Sequence, residues 1–134
     1  MLQHLKASDH QHYPMLSSRV NLESYAKKLC EYSMRFEAWE NKTLVGLVAV
    51  YFNDGSIGFV SNVSVLSDYS NRGIAKSLLE QCLQKARDLR VSRIELEVQT
   101  DNALAKSLYL TLGFTEFQQN STQQLMRLNL KGSQ

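Results

Sequence analysis

The residues best suited to chemistry lie in Val63-Ser64-Val65-Leu66-Ser67-Asp68-Tyr69-Ser70-Asn71-Arg72-Gly73-Ile74-Ala75. The stretch reads as a strand end, a polar loop with one basic residue and one glycine, and the start of a helix. The first N–H groups of a helix have no internal partner, and the helix dipole adds partial positive charge there. Gly73 lets a ligand approach the backbone, and Arg72 brings a full charge nearby. The chemistry implied is anion binding. The same residues also fit an ordinary strand-to-helix turn with a surface arginine, and alone they do not choose between the two.

Other reactive types are less suggestive. His4, His10 and His12 gather near the N-terminus without acidic or cysteine neighbours at ligand spacing. They read as surface histidines, and no metal is expected. Cys30 and Cys82 fall in helical patterns and match no metal spacing, so they read as reduced small hydrophobes of a cytoplasmic protein. Trp39, Tyr51 and Tyr25 read as core.

These residues need a frame to hold them. A chain of 134 residues is expected to form a single domain, residues 1–134, burying about two-thirds of its unfolded surface. Hydrophobic residues make up 43% and charged residues 21%, and the net charge of +2 gives no drive toward nucleic acid or membrane. No apolar run approaches the roughly 20 residues that span a bilayer. The basic-then-apolar layout of a secretory signal is also missing at residue 1.

Residues 2–6 alternate weakly and predict a first strand. Leu22, Tyr25, Leu29 and Tyr32 recur at helical spacing behind Asn21, a suitable N-cap, and Pro14 interrupts the region upstream. Strands follow at residues 35–40, 43–52 and 56–65, joined by an Asn41-Lys42 turn and an Asn53-Asp54-Gly55 hairpin signal, which makes an antiparallel meander. Ile74, Leu78, Cys82, Leu83, Ala86 and Leu89 mark one face of a helix of about five turns. A strand at residues 91–98 precedes a second helix capped by Thr100-Asp101-Asn102, with Leu104, Leu108 and Leu112 on its inner face and Gly113 at its end. Residues 115–117 and 123–130 form a last hairpin around a polar loop, and residues 131–134 should fray. The order predicts an α/β (α+β) fold, a mixed, mostly antiparallel twisted sheet of 6–7 strands flanked by about four helices.

The helix from Asn102 to Phe114, Asn102-Ala103-Leu104-Ala105-Lys106-Ser107-Leu108-Tyr109-Leu110-Thr111-Leu112-Gly113-Phe114, supplies the second motif. Together with Ser70-Asn71-Arg72-Gly73-Ile74-Ala75 it closely resembles the GCN5-related N-acetyltransferase (GNAT) superfamily. That family carries Gln/Arg-x-x-Gly-x-Gly/Ala between a strand and a helix. An Asn-x-x-Ala-x-x-Leu-Tyr-x-x-x-Gly-Phe-like helix follows its next strand. The resemblance covers residues 44–117, with both motifs in the family's order. One position departs: Ser70 stands where the family has Gln or Arg, leaving backbone amides and Arg72 to meet the pyrophosphate.

The resemblance implies direct transfer of an acetyl group from acetyl-CoA to an amine. It implies a cofactor-binding set of Val63, Ser64, Val65, Ser70, Asn71, Arg72, Gly73, Ile74, Ala75 and Lys76, joined by Asn102, Ala105 and Tyr109. Backbone groups of Val63 and Val65 would pair with the pantetheine arm, and an N–H near Val65 would stabilise oxyanion charge. Tyr109 matches the tyrosine that protonates the departing thiolate, a task suited to a phenol that is neutral at pH 7. Glu97 is the first candidate base. It sits in a Leu-Glu-Val triplet similar to that of ribosomal-protein N-terminal acetyltransferases, where partial desolvation would raise its pKa. Pairing with Arg93 is the competing reading, and Glu95 is the reserve. Asn62 and Ser64 are alternatives for orienting the acceptor, the resemblance gives Trp39, Tyr51 and Tyr25 a second reading as lining of the acceptor pocket, and Asn102 serves both as helix cap and as cofactor contact.

The expected partners are a small-molecule or peptide amine and no nucleic acid or membrane, with the protein a monomer or homodimer. Residues 20–70 resemble small GNAT proteins of bacterial polysaccharide clusters, which implies an amino sugar; a protein or peptide amine is the other option. Two further readings compete: a non-catalytic acyl-CoA-binding module of the same fold, and a Rossmann nucleotide binder. The second is disfavoured because neither a Gly-x-Gly-x-x-Gly turn nor a Walker lysine loop is present.

Overall fold

A computed structural model describes residues 1–11, 17, 21–54 and 56–130. Pro14, His12, Gly55 and the expected frayed end at 131–134 lie outside the described residues. Helices α1 (Leu2–Ser8) and α2 (Leu22–Tyr32) precede strands β1 (Met34–Glu40), β2 (Thr43–Asp54) and β3 (Ile57–Val65). Helix α3 (Ile74–Asp88), strand β4 (Arg93–Gln99), helix α4 (Ala103–Thr111) and strands β5 (Thr115–Gln119) and β6 (Gln123–Asn129) complete the order. The described strands form one six-stranded sheet, β1-β2-β3-β4-β6-β5, in which only β3 and β4 pair in parallel. This is the expected α/β fold, mixed and mostly antiparallel. No described helix is long and apolar enough to cross a membrane.

Each face of the sheet carries helices because strand side chains alternate between faces. Val48, Val50, Val60, Leu96 and Val98 meet Leu78, Leu79, Cys82, Leu83 and Ala86 of α3, and Tyr109 of α4 joins the same cluster. Leu47 and Ala49 point the other way, onto Leu5 of α1 and Ala26 and Leu29 of α2. Gly46 lets the first turn of α3 sit tightly on β2, since a Cβ there would lie 2.6 Å from Ile74 Cγ2.

Several expectations are corrected. Residues 2–6 form helix rather than strand, because His4, Leu5 and Ser8 share one buried stripe at helical spacing. Five residues of weak alternation were too short to distinguish the two periods. Helix α3 has 15 residues, about four turns rather than five; the chain turns at Arg90, whose φ is 62°, and Leu89 is left exposed. Leu104, expected on the inner face of α4, is 78% exposed. Cys82 is buried as expected, whereas Cys30 is exposed; both thiols are free. His4 is a buried residue, not a surface one. Trp39 is exposed, and Tyr25 and Tyr51 are half-buried against the α1–α2 cluster.

Candidate active site

The site begins with a break in the sheet. β3 pairs with β4 only from Ile57↔Arg93 to Val60↔Leu96. Beyond that point β3 stays with β2 as far as Gly46↔Val65, while β4 stays with β6 as far as Gln99↔Gln123. A bulge sets the divergence: Ala49 pairs with Asn62 and Val50 with Val60, leaving Ser61 as an extra residue. Such a bulge bends its strand and re-aims the side chains after it. Here it turns Asn62 and Ser64 toward α1 and α2, while Val63 packs on the α3 side.

The gap opens into a cleft of about 570 Å³. Its walls are the second half of β3, residues 96–99 of β4, the loop into α3 and one side of α4. Polar loop and apolar helix thus face each other across one space, a layout suited to a ligand with an anionic end and an extended arm.

At the α3 end, the loop runs through a short 3-10 turn, Ser67–Tyr69, before the helix begins. Asn71 has φ 61° and Gly73 has φ 77°, so the backbone passes twice through the left-handed region. Asparagine and glycine are the residues that enter it most readily. Gly73 is the N-cap of α3 and supplies no capping side chain, and no acidic residue occupies the first turn. The first amides of α3 are therefore directed into the cleft mouth, the arrangement that attracts phosphate. Ser70 turns its hydroxyl inward, donating to Ser67 O at 2.8 Å.

All but one of the residues expected to bind cofactor line this cleft: Val63, Ser64, Val65, Ser70, Asn71, Gly73, Ile74, Ala75, Lys76, Asn102, Ala105 and Tyr109. Arg72 is the exception; its guanidinium stacks 5.0 Å from the Tyr69 ring centroid. Lys76, also expected, is the one cationic residue among the described residues that line the cleft. The Val65 carbonyl accepts from Gln11 Nε2 at 2.6 Å. Gln11, Gln99 and Gln123 line the cleft with no sequence signal pointing to them. They belong to loops and edges that only the folded chain brings together.

Asn102 caps α4, its Oδ1 accepting from Ala105 N at 3.1 Å. Asn102→Ala should destabilise the protein by about 1 kcal/mol, whereas Asn102→Asp, which keeps the acceptor, should leave most of that intact. Thermal unfolding of the two variants checks this.

The two candidate catalytic residues stand in different environments. Tyr109 is 6% exposed, its ring 5.9 Å from that of Phe114. Burial pushes its pKa up to about 12, so the phenol keeps its proton far above neutral pH. Glu97 also lines the cleft, but it is exposed rather than partly desolvated. Arg93 does not pair with it; the Arg93 Nε contacts Glu95 Oε2 at 2.7 Å, which occupies the reserve carboxylate. Glu97 therefore faces the cleft as a hydrated carboxylate. No group of three or more His, Cys, Asp or Glu able to hold a metal occurs among the described residues.

Known proteins resemble this arrangement. The chain is 38% identical over 55 residues to the [ribosomal protein bS18]-alanine N-acetyltransferase of Escherichia coli, an alignment spanning 41% of this chain and 37% of that protein, well under half its length. It is 27% identical over 105 residues to N-alpha-acetyltransferase 30 of Schizosaccharomyces pombe, covering 71% of this chain and 70% of that one. The crystal structure of the E. coli ribosomal-protein-S18-alanine N-acetyltransferase superposes with a TM-score of 0.75 at 22% identity, over 93% of this chain and 86% of that one. The PaiA N-acetyltransferase of Thermoplasma acidophilum, solved in complex with coenzyme A, superposes with a TM-score of 0.76 at 15% identity, over 96% and 90%. The model of the acetyltransferase (GNAT) family matches residues 1–114, and the chain belongs to that family.

Proposed function

We propose that the protein is an N-acetyltransferase that moves an acetyl group from acetyl-CoA to the amine of a protein or peptide. The observation that carries this reading is the divergence of β3 and β4 into a cleft that ends on the uncapped N-terminus of α3. The pyrophosphate of the cofactor rests on amides of residues 71–76, with Lys76 beside it and Arg72 held back on Tyr69. The pantetheine arm lies along the free edge of β3, using backbone groups of Val63 and its neighbours. Asn102 and Ala105 border the arm from α4.

The acceptor enters on the face of α1 and α2. Glu97, open to water at the cleft, takes the first proton from the ammonium through a bridging water and passes it to solvent. The neutral amine attacks the thioester carbon, the nitrogen sheds its second proton as the C–S bond breaks, and Tyr109 protonates the departing thiolate and is reloaded from solvent. The peptide acceptor is favoured by the two relatives whose names place them on an alanine of a ribosomal protein and on an α-amine.

The test is acetyl-CoA turnover with peptides that begin with alanine, serine or methionine, set beside glucosamine and spermidine. Turnover concentrated on a peptide supports the reading; turnover on the sugar amine alone would replace the acceptor. Acetyl-CoA at about 100 times its Kd should stabilise the fold by about 2.7 kcal/mol. No shift in Tm at that concentration would remove the cofactor claim itself.

A further inference from the structure

A buried polar chain lies behind the acceptor side of the cleft, and the scheme above leaves it unused. His4 is 2% exposed. Its Nδ1 sits 2.9 Å from the Leu44 carbonyl oxygen and its Nε2 2.7 Å from Ser64 Oγ. A carbonyl can only accept, so Nδ1 carries the ring proton. Desolvation lowers the His4 pKa, opposed by the Leu44 bond and by Glu37 on β1 and reinforced by the charged amino group of Met1. The imidazole is therefore neutral at neutral pH, and Nε2 presents a bare lone pair to Ser64. The other charged or titratable groups facing this cluster are Lys42, on the turn that borders His4, and Tyr25 of α2, reached through Asn62.

The serine completes the chain. Ser64 has one hydroxyl proton, and Nε2 needs it. Asn62 Oδ1 faces Ser64 Oγ at 2.8 Å and its Nδ2 faces the Tyr25 hydroxyl at 3.5 Å, while Tyr25 itself donates to the Ser61 carbonyl at 3.3 Å. The Ser64 proton is free for Nε2 when the amide makes a half-turn that brings its NH₂ to Ser64. Ser64 and Asn62 both border the cleft, on the strand segment that the bulge turns toward α1, and each is nearly fully buried. The simpler role for such a cluster is to fasten α1 to the sheet with satisfied hydrogen bonds. That role does not require a neutral histidine aimed at a hydroxyl on the cleft wall.

We propose that Ser64 and His4 form a proton relay that takes the second proton from the reacting nitrogen. The proposal rests on the acetyl-transfer reading and extends it. As the N–C bond forms, nitrogen carries one hydrogen too many. That proton passes to Ser64 Oγ while the Ser64 hydroxyl proton passes to His4 Nε2. The tetrahedral centre collapses, the C–S bond breaks, and the thiolate takes its proton from Tyr109. The imidazolium is held through Nδ1–H on the Leu44 carbonyl and returns its proton to solvent once the product leaves. Ser64 is the group that meets the substrate, and His4 positions and unloads it.

The relay is tested by two measurements. In nitrogen-15 NMR of the free protein, the His4 ring, identified by the signals lost in His4→Gln, should show Nδ1 protonated and Nε2 bare, titrating below 6.5. A protonated Nε2 at neutral pH overturns the relay whatever the acceptor is. In steady-state kinetics, Ser64→Ala should lower kcat about 10²-fold, more than its fall in Tm accounts for and with acetyl-CoA affinity retained, and Ser64→Thr should restore much of the loss. Wild-type kcat should fall as pH drops through the His4 pKa, because protonated His4 accepts nothing; His4→Gln should lack that limb. Ser64→Ala with wild-type kcat, or with a loss of kcat that only follows lost Tm, assigns the cluster to fastening and overturns the relay. Absence of turnover on every amine would sink the acetyl-transfer reading instead, and the ring tautomer would still decide whether the relay's resting state exists.

Discussion

Tyr109→Phe should lower kcat about 10²-fold while leaving acetyl-CoA affinity near that of the wild type. The substitution removes one hydroxyl and keeps the ring that packs 5.9 Å from Phe114, so Tm should move little. The physical argument lies in the pKa of about 12, raised by burial from 10.0. A thiolate leaving a thioester needs a proton donor that is still loaded at working pH, and this phenol is loaded throughout the neutral range. It also lines the cleft beside β4, where the arm of the cofactor would end. Turnover in Tyr109→Phe within about twofold of wild type would remove Tyr109 from the chemistry. If neither protein turns over but both bind acetyl-CoA, the acyl-CoA-binding module becomes the better account.

The same burial has a pH signature in stability. The folded-state pKa of Tyr109 is raised, so its contribution is complete below the unfolded value of 10.0 and is lost as pH rises toward about 12. Cys82, pushed up to about 12 by burial, acts in the same direction, and Tyr51 is raised as well. Tyr109→Phe should therefore flatten part of the alkaline loss of stability without abolishing it. Denaturant unfolding at pH 8 and pH 11 measures the difference.

Gly73→Val should weaken acetyl-CoA binding about tenfold or more, equivalent to about 1.4 kcal/mol, and Ser70→Ala should weaken it far less. Gly73 sits at φ 77°, where an L-residue costs about 1–2 kcal/mol and a β-branched one is worse. A Cβ at this position meets nothing within 4 Å in the protein itself. The added group therefore intrudes on the space in front of the α3 amides, where the pyrophosphate would lie. Ser70 spends its hydroxyl on Ser67 O, so its removal disturbs an exposed turn and little else. Calorimetric titration of both variants, with Tm to separate strain from lost contact, compares them. Equal losses would mean that side chains rather than backbone amides hold the anion.

Much of the frame was legible because its signals are local. The Asn41-Lys42 turn, the capping asparagines at 21 and 102, and the period-two runs of β1 to β3 each depend on a few neighbouring residues. Helix α1 was not legible, since a seven-residue helix offers fewer than two full turns of pattern. Leu104 was placed inward by spacing alone; α4 instead buries Tyr109 and leaves Leu104 over the cleft. Glu97 was expected to be partly desolvated, yet it is exposed, because its strand turns its apolar residues to the α3 side and leaves the acidic ones on the open face.

The sequence by itself determined the turn at Gly73, the Asn102–Phe114 helix and the family to which they belong, because glycine, cap and helix periodicity act within a few residues of one another. Only the tertiary structure decided which side chains face the cleft. The bulge at Ser61 re-aims Asn62 and Ser64, and α1, some sixty positions away in the chain from Ser64, brings His4 beneath them. Arg72 stacks on Tyr69 and stays off the cleft lining, a placement that no spacing rule encodes. Hydrogen bonds and desolvation of this kind depend on distance in space, and distance along the chain does not report it.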